Sequence, residues 1–369
     1  MRLFESNSPE RTAVSARVEN VGDNYGVEVA KNDGSIVIYQ GMGYKEVKEL
    51  CLDLISDEMR KYKADAFVEA GARRDDLDNE FARKMYEKQL SDQQALAEFS
   101  NPAMQYDYFE AQKAYIKAGT PELCSILSDI LVQRVGESSR TLLQIALGEA
   151  IQVAPKLIPS QMASLALVFN LYHTVLRSIN SHEDLAEHLM TRVLPIFRKG
   201  VSQKWSEFQH LNYSGCSQFQ TFNKSLPERL RDAYAGLFMK GFADDVIPKD
   251  AGGTSLREQY PNLFTRCMND VTRWQIDAMT EEMLQRKCES VGTPQDDRAK
   301  LVDLFKSNQM NDEETEMLVC NILPEMQEVC DYWKNSGTAR LALTSVGIII
   351  GAQYSKLITG QEYDLKIWI

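Results

Sequence analysis

SQMASLALVFNLYHTVLRSI, residues 160–179, is apolar on almost every side. A helix with no polar face has nothing to show to water, so in a chain this polar it belongs at the centre of a core. Pro155 and Pro159 punctuate the approach to it, and Ser160 is placed to cap its start. The segments around it read as helices that would pack against it. Leu123, Ile126, Leu127, Ile130 and Leu131 form one helical face after Thr120-Pro121-Glu122, which supplies an N-cap and a first-position proline. Residues 139–153 continue the pattern, and residues 103–118 precede it, closed by Gly119.

Further toward the N-terminus, Val47, Leu50, Cys51, Leu54, Ile55, Met59 and Tyr62 step by threes and fours. The stripe goes on through Phe67, Leu77, Phe81, Met85 and Leu90, with no proline from 44 to 101. One long helix or two abutting ones are expected there, with Gly71 the only weak point. Before it, Val27 and Val29 flank Glu28, Asn32-Asp33-Gly34 has turn chemistry, and Ser35 to Tyr39 is β-branched and apolar. This reads as a short β-hairpin.

Toward the C-terminus, helices are expected at 183–199, 227–242, as a pair within 261–290, and at 296–307 and 311–333. Ala339 to Leu343 reads as a strand, a short helix follows Thr344 or Ser345, and Tyr363 to Ile369 alternates like a second strand lying beside the first. The expected fold is therefore mainly α, multi-helical, with a small N-terminal β-hairpin and a short C-terminal strand pair. The expected divisions are a flexible tail at 1–16, a hairpin assembly element at 17–43, a long helical segment at 44–101, a helical core domain at 102–250 and a C-terminal helical domain at 251–369.

Composition narrows the function classes. The chain has 369 residues, 41 Lys and Arg against 53 Asp and Glu, and a formal net charge of −12. Such a chain has no bulk attraction for nucleic acid or an anionic membrane, so neither partner is expected. No signal-peptide core and no spanning-length apolar run is seen, which points to a cytoplasmic protein. Seven widely spaced cysteines without a CxxC pair read as buried free thiols, with Cys216 in a loop-like setting as the one candidate for reactivity. Phosphate-loop, dinucleotide, nucleophile-elbow and HExxH patterns are all missing from the sequence. His173, His182, His188 and His210 fall in one third of the chain but lack ligand spacing, and Asp244-Asp245 and Asp296-Asp297 read as solvated turns. Arg73-Arg74-Asp75-Asp76 reads as a solvated helix face, and Tyr106, Tyr108, Phe109 and Tyr115 as core packing. No cofactor or metal is expected, and no catalytic residue can be assigned.

Several stretches together resemble a known group. They are Val21-Gly22-Asp23-Asn24, Gly41 to Glu49, Tyr106 to Lys113, Leu142 to Leu157, Leu343-Thr344-Ser345-Val346-Gly347 and Asp364 to Ile369. The chain resembles an uncharacterised family of bacterial accessory-genome proteins beginning with a VGDN β segment. More remotely, the Pro121 to Leu131 helix and the Leu-Thr-x-x-Gly element are similar to abortive-infection alpha proteins. What the resemblance implies is a role in bacterial antiphage defence; it implies no active-site residue.

The expected function is a non-enzymatic, self-assembling defence protein whose partners are itself and a phage protein. The alternatives are an effector enzyme such as a nuclease with an unrecognised site, or a membrane-disrupting effector using Val346 to Ala352. An isolated two-stranded hairpin is marginal in water and its open edges invite pairing. Val27, Val29, Ile36, Val37 and Ile38 are therefore the expected oligomerisation residues.

Overall fold

A computed structural model describes residues 27–32, 35–40, 44–90, 97–137, 140–221 and 224–369. The tail at 1–16 and the hairpin's turn at 33–34 lie outside them. The chain divides into two units between residues 69 and 70.

In the first unit, β1 (Val27–Asn32) pairs antiparallel with β2 (Ser35–Gln40), setting Val29 opposite Ile38 and Ala30 opposite Val37. The helix α1 (Tyr44–Glu87) begins here and crosses into the second unit.

The second unit is mainly α. The later part of α1 buries Leu77, Phe81 and Met85, one per turn. Next come α2 (Pro102–Ala118), α3 (Pro121–Val135) and α4 (Leu142–Val153). Asn101 caps α2 by accepting from the Ala103 N–H, and Gly119 closes it in the left-handed conformation at φ 68°. The core-deciding stretch becomes α5 (Pro159–Val168), buried from Gln161 onward. It runs into a π-turn at Phe169–His173 and then stops, short of the expected end at 179. Polar side chains explain the stop. The Asn170 amide donates to the Ala166 carbonyl and the Thr174 hydroxyl to the Asn170 carbonyl, competing with the helical ladder.

A near-continuous run follows, α6 (His182–His188), a π-turn and α7 (Leu194–Arg198), then α8 (Trp205–Tyr213), β3 (Ser217–Phe219) and α9 (Leu226–Tyr234). The next elements are α10 (Leu256–Gln259), β4 (Phe264–Arg266), β5 (Trp274–Ile276), α11 (Glu281–Ser290) and α12 (Gln295–Ser307). The chain goes on through α13 (Asp312–Ile322), α14 (Met326–Asn335), β6 (Leu341–Leu343) and α15 (Ser345–Thr359).

The core is built where α15 crosses α5, with α3 and α4 alongside. Small residues let the backbones approach. A Cβ on Gly347 would sit 1.9 Å from the Cys216 carbonyl oxygen, and one on Gly351 would sit 2.8 Å from that of Leu165. Among the described residues, buried charge is paired. Arg134 is held by Glu98 at 3.0 Å and Asp107 at 2.9 Å, and Asp129 bridges Lys84 at 2.6 Å and Lys356 at 2.7 Å.

Two further expectations are corrected. Residues 261–290 hold a strand pair and one helix, not two helices: β4 and β5 join through a turn in which Asp270 accepts from the Thr272 N–H and hydroxyl. These strands, with Phe242, Leu284, Leu301 and Phe305, form a second apolar cluster drawn from both sides of residue 250.

The C-terminal strand pair is the other. β6 pairs with β3, Ser217 opposite Leu343, whereas Leu365–Ile367 forms a 3-10 turn. The alternation there does not mark two faces, because Leu365 is buried and Ile367 is exposed. Aromatic anchoring decides the conformation. Tyr363 and Trp368 meet Phe169 edge-on at 4.9 and 5.0 Å, and the Trp368 indole N–H donates to the His173 carbonyl at 2.8 Å.

Candidate assembly surface

The front half of α1 forms as a helix for local reasons. It has no proline, it is rich in Glu, Lys, Leu and Ala, and Lys45–Glu49 and Asp57–Lys61 are spaced four apart. Its apolar residues stay uncovered. Val47, Leu50, Leu52, Leu54, Ile55, Met59, Tyr62, Phe67 and Val68 are all exposed, Phe67 to 77% and Leu54 to 57%. Single exposed apolar residues are ordinary, but a contiguous set on one helix marks a contact surface. Cys51, on the same stripe, is an exposed free thiol.

Val27 and Val29 fall on β1, and Ile36, Val37 and Ile38 on β2, immediately before this helix in the chain. The strand register sets Val29 opposite Ile38, whereas Val27 pairs with Gln40, Ile36 with Lys31 and Val37 with Ala30.

The candidate chemical residues are scattered. Cys216 is buried, not in an open loop, and burial holds its thiol up at about 12, far from a reactive thiolate. His188 is buried with its Nδ1 unpartnered, and burial together with Arg192 depresses it to about 4. His210 bonds Gln161, His182 faces the Leu237 carbonyl, and His173 stacks on Phe169. Asp244 pairs with Arg257 at 2.8 Å; Asp297 is buried beside Lys300 and the Tyr260 hydroxyl. Among the described residues no group of three or more His, Cys, Asp or Glu lies close enough to hold a metal ion. No described helix is long and apolar enough to cross a membrane. Of the four aromatics on α2, Tyr115 is buried and Tyr108 donates to Asp78, but Tyr106 and Phe109 are exposed, which corrects the expectation of core packing for those two.

Sequence reasoning missed a cleft of about 1170 Å³ in the second unit, between the 173–179 segment, α11 and residues 361–368. Arg177, Arg192 and Arg286 line it together with Glu281, Glu282, Met283 and Trp368. Its walls come from five separate stretches, Arg192 and residues 232–234 among them, so no local motif announces it.

Residues 41–369 match the profile of an uncharacterised protein family described only as ":-like", and the chain belongs to that family. No curated protein and no solved structure matches the chain.

Proposed function

We propose that the chain is a self-assembling protein of bacterial antiviral defence that works through protein–protein contacts, with the first unit as its assembly element. The observation that carries this reading is the set of uncovered apolar side chains between Val47 and Val68, among them Leu52, Ile55, Met59 and Tyr62 on one face. Burial of apolar surface is the dominant favourable contribution to most protein association. At ~25 cal/mol per Å² removed from water, the large side chains that share one face, Leu52, Ile55, Met59 and Tyr62, favour holding copies together, with association costs set against them. The preceding strand pair adds backbone edges that can join a neighbouring chain. The place in defence rests on the resemblance of the VGDN segment and the Leu343 to Gly347 element.

Light scattering on the full chain tests the assembly. A particle of more than one copy that loses mass when residues 1–68 are removed supports it, and a monomer at all attainable concentrations overturns it. Plaque counts on cells carrying the wild-type chain or Ile55→Glu test the role. Protection by the first and not the second is expected.

A further inference from the structure

We propose that the front of α1 pairs with the same segment of a second copy, parallel and in register. This rests on the self-assembly reading and adds the partner surface and its direction. Leu52, Ile55, Met59, Tyr62 and Ala66 step by three, four, three and four, the spacing of the a and d positions of a two-stranded coiled coil. All five are exposed. Lys48 and Glu69 occupy the next core positions on either side, so the apolar seam is bounded and spans about two heptads. A seam this short pairs in a concentration-dependent way, and the strand pairs that precede it would add to it.

Charge selects the direction. With Leu52 at a, Glu58 falls at g and Lys63 at the following e. A parallel pair sets each g position against the e position five residues on in the other helix. By sequence position alone, the site of Glu58 in each copy then stands against the site of Lys63 in the other, twice by symmetry. An antiparallel overlay of the same residues brings Glu58 beside its own counterpart, a like-charge contact. Chain order agrees, because β1 and β2 precede α1 and parallel pairing gathers both strand pairs at one end.

The test uses the full chain with Cys51→Ser, which removes the exposed native thiol on this stripe and is itself the uncrosslinked control. Leu52→Cys and Tyr62→Cys are added one at a time, and each protein is oxidised mildly and run on a non-reducing gel. Each single variant is expected to form a covalent dimer with itself, since positions 52 and 62 meet their own copies only in the parallel arrangement. If neither does so alone but a mixture of the two crosslinks, the pair is antiparallel and the proposal fails while self-assembly stands. A chain that light scattering shows to be monomeric defeats both. In a second arm, Lys63→Glu should weaken dimerisation roughly three- to tenfold, as expected for two modest ion pairs made repulsive. Adding Glu58→Lys should restore it. An unchanged dissociation constant for Lys63→Glu overturns the assigned register.

Discussion

The two halves of α1 carry similar apolar stripes and meet different fates. From Leu77 to Met85 the stripe is covered by the second unit's own helices, Leu77 to 0% exposure; from Val47 to Val68 it is bare. The covered half is also tied polar group by polar group. Asp78 accepts from the Tyr108 hydroxyl at 2.6 Å and from Gln112 at 2.8 Å, and Lys84 reaches buried Asp129. Helical spacing therefore says that a face wants covering, and only the fold says whether the chain covers it itself.

The contrast breaks most sharply at Phe81. Phe81→Ala should cost about 3–5 kcal/mol, because it empties a packed site beside Phe99 and Tyr108. Chemical denaturation of the purified variant measures this, and a loss below ~1 kcal/mol would mean that the covered half is not core. Acid should sharpen the same contrast. His188 stays neutral in the fold down to about 4, whereas the unfolded chain takes up its proton near the ordinary value of ~6.5. Its contribution is fully present above that range and is lost as pH falls toward 4, on the order of a few kcal/mol. Melting temperature against pH should drop through this window in the wild type and drop less in His188→Leu. Equal slopes for the two proteins would remove His188 as the cause.

The smallest effect belongs to the bare half. Phe67→Ser, measured in dilute protein, should move stability by no more than about 0.5 kcal/mol. A larger change would show that Phe67 packs in the isolated chain.

Much of the fold was legible because its signals are local. Asn101-Pro102, Thr120-Pro121 and Gly119 mark helix ends through rules that involve only neighbouring residues, and Asn311 with Glu314 forms a reciprocal cap. The apolar run after Ser160 correctly marked the centre of the core. What escaped was decided by remote partners. Leu341 to Leu343 pairs with Ser217 to Phe219, over a hundred residues earlier, and the Tyr363 to Ile369 alternation was overruled by a ring cluster around Phe169. Met268 to Trp274 hid a turn inside a segment that reads as helical. The bare stripe on α1 was visible as a stripe from the start, but the residues given the assembly role were those of the strands before it. Periodicity alone does not separate a face that packs at home from one that waits.

The crossing of α15 over α5 also sets a schedule for synthesis. Asn170 bonds Ser355 across 185 positions and Tyr363 across 193, and Asp129 meets Lys356 across 227. While the ribosome is still making the stretch between them, α5 has emerged with its central partner unmade. Contacts of such long range form slowly, and the apolar helix stays uncovered meanwhile. The body cannot close until the residues of α15 have left the exit tunnel, whereas the front of α1 is out well before them. On polysomes, where several copies are made side by side, those early segments can find each other before either body is finished.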